Sequence, residues 1–194
     1  MFKNHPKGLI AASLANMGER FGFYIMMAIL TLFISAKFGL GEQTTGYVYS
    51  AFYASIYLLA LVGGVIADRT KKYKATIVAG LVVMALGYVL IAIPTPTPAP
   101  NLALYLTLTC VGLGIIAFGN GLFKGNLQVL IGQMYDDPRY QSARDAGFQI
   151  FYMFINIGGI FAPFIAVGIR NWWLTHNHFE YSAELPALCH QYLR

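Results

Sequence analysis

The sequence predicts an all-α membrane protein, and three observations carry that prediction. Of its 194 residues 57% are hydrophobic and only 11% charged, against about 45–50% apolar and about 25% charged in soluble domains. The apolar residues gather into five blocks between Gly8 and Arg170, each long enough to cross a hydrocarbon core of roughly 30 Å. Basic residues cluster in short segments between blocks, as expected of loops flanking membrane spans.

The first block covers about 8–34. It is too long for a cleavable leader and carries Glu19 and Arg20 at its centre. The second covers about 45–67, and the basic run Asp68-Arg69-Thr70-Lys71-Lys72-Tyr73-Lys74 reads as the loop after it. A third block, about 74–93, ends at Pro94-Thr95-Pro96-Thr97-Pro98-Ala99-Pro100. Proline at alternate positions removes donors and excludes helix, so this segment reads as a loop. The fourth block, 102–134, is predicted as an unusually long span that tilts or protrudes. Asp136-Asp137-Pro138 stops it, and the fifth block covers about 143–169. Residues 1–170 form one five-helix unit on this reading. Residues 171–194 are polar and aromatic, hold three of the four histidines, and read as an extramembrane loop or tail.

Counting Lys and Arg sets the orientation. With the N-terminus inside, the inner segments hold Lys3, Lys7, Arg69, Lys71, Lys72, Lys74, Arg139 and Arg144, against Lys37, Arg170 and Arg194 outside. Eight against three predicts a cytoplasmic N-terminus in a multi-pass protein of the cytoplasmic membrane. The net charge of +5 is explained by this asymmetry and needs no nucleic-acid partner. Two cysteines, Cys110 and Cys189, are too few for a disulfide framework.

Glu19, Arg20 and Lys124 lie well inside apolar spans. Each costs about 2.5–3.5 kcal/mol at a helix centre on an insertion scale, so such residues mark functional sites by default. A structural ion pair between helices is the plainer reading of the same three charges. Polar stripes accompany them: Asn16, Glu19, Arg20, Phe23 and Met27 share one helical face, as do Ser50, Tyr53 and Tyr57. Asn120, Lys124 and Gln128 form a third stripe, and Asp145, Gln149, Tyr152 and Asn156 a fourth. Four spans with one polar face each are expected of helices around a wet centre. The pairs Gly18/Gly22, Gly63/Gly64, Gly112/Gly114 and Gly158/Gly159 read as close-packing sites. No phosphate-binding glycine pattern occurs, and no His or Cys cluster lies in the spans to support an intramembrane enzyme.

Four segments resemble the N-terminal part of a proton-dependent oligopeptide transporter of the major facilitator superfamily. Asn16-Met17-Gly18-Glu19-Arg20-Phe21-Gly22-Phe23-Tyr24 is similar to the family's E-x-x-E-R-F-x-Y-Y motif. Gly63-Gly64-Val65-Ile66-Ala67-Asp68-Arg69 is similar to the superfamily's G-x-x-x-D-R loop, and Gly121-Leu122-Phe123-Lys124-Gly125-Asn126 to G-x-F-K-P-N. Residues 148–159 match F-x-x-F-Y-x-x-I-N-x-G-[SG] throughout.

The resemblance covers residues 8–170 and implies part of an N-terminal major-facilitator bundle. It implies import of di- and tripeptides by alternating access, with protons as the coupling ion and no other cofactor. Glu19, Arg20 and Lys124 would form the proton-coupling cluster. Asn16, Phe23, Tyr24, Tyr57 and Asn156 would line the peptide site. Expected partners are the lipid bilayer, small peptides, and a sixth helix and second bundle not among these 194 residues, without which the chain is not expected to transport. Three positions depart from the pattern: Asn16 replaces a carboxylate, Phe23 a tyrosine and Gly125 a proline. A carrier of a small anion such as nitrate is the alternative within transport, because Glu19, Arg20 and Lys124 sum to +1. A membrane scaffold or sensor is the alternative outside it.

Overall fold

The computed structural model describes residues 4–93 and 101–176, and all its long elements are helices. α1 is Gly8–Phe38, α2 Glu42–Thr70, α3 Tyr73–Ala92, α4 Leu102–Met134 and α5 Arg144–His176, with a single 3₁₀ turn at Gln141–Ala143 before α5. In the most apolar stretch of each helix only 22–33% of residues are buried. Leu61, Leu86, Val89 and Phe164 stand outward and exposed. Such a surface suits a bilayer and not water.

Four boundaries differ from the hydropathy reading. α1 runs on to Phe38 and closes at Gly39, whose φ of 63° lets its N–H reach the Ser35 carbonyl at 2.8 Å. α2 begins at Glu42 and continues through Asp68-Arg69-Thr70, so the predicted seven-residue basic loop shrinks to Lys71-Lys72. Hydropathy falls where the chain leaves the apolar region, but the backbone ladder continues until Lys71 turns left-handed at φ 54° and bonds back to the Ala67 carbonyl at 2.7 Å. α4, at 33 residues, is not unusual, since α1 has 31 and α5 has 33. At 1.5 Å per residue each is about 50 Å long and outruns the hydrocarbon core. α5 also absorbs 171–176, the first part of the predicted tail. The loop expected over 94–100 and the tail from 177 onward lie outside the described residues.

α4 is the hub. It packs along α3 and α2, while α1 packs along α5, and the two groups meet where α1 crosses α4 and α2 over a smaller area. Glycine makes the α4 contacts possible. A Cβ on Gly63 of α2 would strike the Gly121 carbonyl group and lie 2.8 Å from the Leu122 nitrogen. Both are backbone atoms that cannot swing aside. Asn126, buried at the same crossing, donates to the Gly63 carbonyl at 3.1 Å and the Leu122 carbonyl at 2.8 Å. Of the glycine pairs singled out above, Gly63, Gly112, Gly158 and Gly159 face a neighbouring helix, while Gly18, Gly22, Gly64 and Gly114 face open space.

Two apolar clusters fill the interior. One joins Leu9, Ile77, Phe123, Leu127, Ile131 and Phe151, and the other joins Leu30, Ile34, Phe52, Ile56 and Ile116. At the end carrying the N-terminus, His5 Nδ1 and the hydroxyl of buried Tyr135 share a hydrogen bond of 2.7 Å, tying the chain start to the α4–α5 connection. In that connection the Asp137 carboxylate accepts from the Arg139 backbone N–H at 3.0 Å and from its guanidinium at 2.7 Å.

Adjacent glycines give a sharp test. Gly63→Ala is expected to cost roughly 1–3 kcal/mol through backbone overlap, whereas Gly64→Ala is neutral or stabilising by up to about 1 kcal/mol. Denaturant unfolding in detergent, followed by circular dichroism, reads both. The Arg139 contacts hold the Asp137 carboxyl below the usual carboxylate range. A carboxyl lowered on folding stabilises at neutral pH and loses that contribution as pH falls through its depressed value. Amide exchange across residues 136–143 should therefore quicken on acidification, and Asp137→Asn should remove that pH dependence.

Candidate functional site

One face of α1 turns inward and carries Asn16, Arg20 and Phe23, all buried, with the Glu19 side chain beside them. The Glu19 and Arg20 side chains are only 4% and 7% exposed. Arg20 Nε and Nη2 donate to the two Glu19 carboxylate oxygens at 2.5 and 2.9 Å, a two-pronged pair between adjacent residues. A fork-to-fork contact of this kind is among the strongest neutralising geometries open to a buried carboxylate. Leaving either partner alone in such a place costs about 3–5 kcal/mol.

The carboxylate has a third donor. Asn120, one turn before Lys124 on α4 and fully buried, donates through Nδ2 to Glu19 Oε1 at 2.7 Å. The same nitrogen lies 3.8 Å from Met84 Sδ on α3. α1 and α4 thus converge on one carboxylate, with α3 against the Asn120 amide behind it. Arg20 also lies over the Phe23 ring, 5.0 Å from its centroid, and that ring belongs to the apolar core. Phe23, expected at the peptide site, packs underneath the guanidinium.

Lys124 packs against an aromatic ring in this structure. Among the described residues the ion pairs are Arg20–Glu19 and Arg139–Asp137, so Lys124 is paired with no carboxylate. Its ammonium sits 4.7 Å from the centroid of the Tyr57 ring on α2, within electrostatic reach of Glu19 and Arg20. With Glu19 already bonded to Arg20 and Asn120, the attractive surface this cation meets is the Tyr57 π-face.

Tyr57 belongs to a ladder. Its hydroxyl lies 3.1 Å from that of Tyr53, their rings meet edge-on at 5.3 Å, and Tyr53 stacks on Tyr49 at 6.3 Å and 4°. The sequence stripe contained Tyr53 and Tyr57, and Tyr49 extends it by one helical turn. Tyr24 on α1 is exposed, and its ring occupies the space beside Gly159 of α5. Asn156 is exposed on α5 and is not among the hydrogen-bond partners of Glu19 and Arg20. Glu19, Arg20, Lys124 and Tyr57 are therefore gathered together; Asn16 lies on the same α1 face, and Asn156 stands apart. Sequence reasoning named Asn120 only as part of a stripe. Its signal was the four-residue step to Lys124, which cannot reveal a bond to α1. A cleft of about 380 Å3 between α4 and α5, lined by Gln128, Gln133, Asp136, Arg144 and Phe148, is separate from this cluster.

The fold and the buried side chains define a multi-pass α-helical membrane protein holding ionisable groups inside its bundle. The chain belongs to the POT family of transporters, whose profile (PTR2) matches residues 74–189. It is 37% identical over 169 residues to dipeptide and tripeptide permease B of Xenorhabdus bovienii, covering 84% of this chain and 32% of the permease. It is 33% identical over 182 residues to the peptide transporter YePEPT of Yersinia enterocolitica, covering 91% of this chain and 33% of that one. Among solved structures it is similar to tetrameric PepTSo2, with a TM-score of 0.76 and 29% identity over 88% of this chain and 34% of that chain. A bacterial homologue of the human drug peptide transporters gives 0.77 and 30% over 90% and 35%. The chain spans about a third of the length of these relatives. Its five helices have the fold of part of a major-facilitator bundle.

The Lys124–Tyr57 contact can be measured. In a double-mutant cycle, Tyr57→Leu with Lys124→Met should show a coupling of about 0.5–2 kcal/mol. Tyr57→Phe keeps the ring and should show almost none with Lys124→Met. Unfolding in detergent supplies the four stabilities for each cycle.

Proposed function

We propose that the protein to which this chain belongs imports di- and tripeptides across the cytoplasmic membrane, driven by protons, with the N-terminus on the cytoplasmic side. The observation that carries this reading is a buried carboxylate whose charge Arg20 already cancels, beside a second cation that no carboxylate pairs among the described residues. That arrangement has a net charge of +1 and suits a substrate carboxylate near Lys124. When a peptide carboxylate arrives, Glu19 can take up a proton without leaving the cluster strongly positive. Protonation and substrate binding are then linked through one carboxylate. Asn16, on the same face, supplies none.

Tyr24, Tyr53 and Tyr57 favour peptide over a small inorganic anion. They offer hydroxyls and ring faces spread over more than one helical turn, more than nitrate has surface to use. Asn16 and Asn156 are the amide groups assigned to the peptide backbone, and Phe23 supports Arg20 from below. The chemistry is binding and proton movement, with no bond of the substrate broken. Alternating access would rock this bundle against a second one around the shared site.

In the intact transporter reconstituted in liposomes, Glu19→Gln should abolish concentrative uptake of labelled dialanine driven by a pH gradient. Counterflow, an exchange needing no net proton movement, should survive at least in part. Asn16→Glu should be tolerated and should move the pH optimum. Proton-driven accumulation by the Glu19→Gln protein would remove Glu19 from the coupling role. Accumulation of labelled nitrate but not dialanine by the parent protein would overturn the peptide reading.

A further inference from the structure

A group that gains and loses a proton in a buried site needs a neighbour able to bond both forms. The carboxylate only accepts hydrogen bonds, whereas the neutral acid also carries an O–H that must be donated. Arg20 cannot serve the second need, because a guanidinium has no acceptor. Lys124, as an ammonium, has none either. From α2 and α3 the titratable groups are Tyr57, against Lys124, and Tyr88, within electrostatic reach of Glu19. α5 offers Tyr152, two helical turns further along α4 and beside Gln128 at 3.5 Å. None of these is hydrogen-bonded to Glu19. Among the described residues the neutral group hydrogen-bonded to it is the Asn120 carboxamide.

We propose that Asn120 is a two-way positioning residue for Glu19, its amide nitrogen donating to the carboxylate and, after a half-turn of the side chain, its oxygen accepting from the protonated acid. The proposal rests on the reading of Glu19 as the proton-carrying group. Two observations carry it. The first is the bond itself, Nδ2 to Oε1 at 2.7 Å, across the only polar contact between α1 and α4 given among the described residues. The second is that the other arm of the amide is held by nothing: Asn120 Oδ1 is buried with no hydrogen-bond partner. A half-turn therefore breaks only the bond to Glu19 that protonation has already made unfavourable, together with a weak contact to Met84 sulfur. The two arms are nearly the same size, so no backbone has to move.

Asn126 shows the contrast one and a half turns later on the same helix. Its nitrogen is gripped by the carbonyls of Gly63 and Leu122, which pins its orientation. Two buried asparagines on α4 thus differ in kind. One locks a helix crossing, and the other is free to turn over.

The first test leaves Asn120 itself unchanged. Protein carrying carboxyl-13C glutamate and side-chain-15N asparagine, in lipid, is titrated by solid-state NMR, with Glu19→Gln assigning the signal. The carbon shift reports protonation of Glu19, and the carbon–nitrogen dipolar coupling reports its distance to the Asn120 nitrogen. The expected result is a strong coupling at high pH that weakens on acidification with the same midpoint as the carbon shift. A carbon shift that titrates while the coupling stays constant would overturn the switch and leave Glu19 as a proton site. A carbon shift that never titrates would overturn both. A second arm uses Asn120→Leu, similar in shape and unable to bond either form. Because a hydrogen bond to the charged form is the stronger of the two, the midpoint of proton-driven dialanine uptake should move to higher pH, and an unmoved midpoint also overturns the proposal.

Discussion

A carboxylate inside a bilayer must be neutralised on the spot, and the arrangement around Glu19 follows from that requirement. Arg20, the next residue in the chain, supplies the countercharge without drawing in another helix. α4 is then left to provide a neutral donor, Asn120, and keeps its own cation for the Tyr57 ring. Had Lys124 been the partner, α1 and α4 would be clamped by full charges, and the cation left over would be Arg20 on α1. The Glu19–Asn120 bond is also a junction between parts. α1 is packed chiefly on α5, and α4 on α2 and α3. A hydrogen bond between uncharged amide and carboxylate joins the two groups at a buried place, where it is worth more than at a surface.

Much of this was legible in the sequence. Hydropathy alone finds five membrane-length helices, because lipid demands long apolar runs and the helix satisfies its own backbone. It misplaces their ends because it senses the apolar layer, while Gly39 and Lys71 end helices through left-handed backbone well outside that layer. The stripe on α1 correctly put Asn16, Glu19, Arg20 and Phe23 on one face, but a face has two uses. Phe23 went to the core and Glu19 to the cluster, and periodicity cannot separate them. An interhelical ion pair was open to the three charges, and the pair formed in this structure is the one within α1. The sequence holds no sign that Glu19 would be paired within its own helix, since that depends on two rotamers.

The motif glycines and Asn126 illustrate a different limit. A sequence pattern records which residues are required without recording why. Gly121 and Asn126 stand in the same motif as Lys124, yet both serve the α2–α4 crossing, one by lacking a side chain and one by bonding to Gly63. Gly158 and Gly159, at the end of the α5 motif, make room for Met17 and Tyr24 of α1. A signature that reads as one functional unit is divided in three dimensions between ligand-facing groups and helix contacts.

The backbone contacts between α2, α3 and α4 have a mechanical consequence. Side-chain layers are compliant, because rotamers can shift to absorb a slide of one helix over another. Where carbonyls meet glycine Cα atoms directly, as at Gly63 against Gly121 and Gly80 against Gly119, there is no such layer. Sliding there would drive backbone into backbone, so these three helices form a stiff plate with little internal shear. Strain applied to the bundle is displaced to its softer boundary, where α1 meets the plate through side chains. Glu19 and Asn120 sit on that boundary, so any shear between the two groups of helices is felt first across their hydrogen bond.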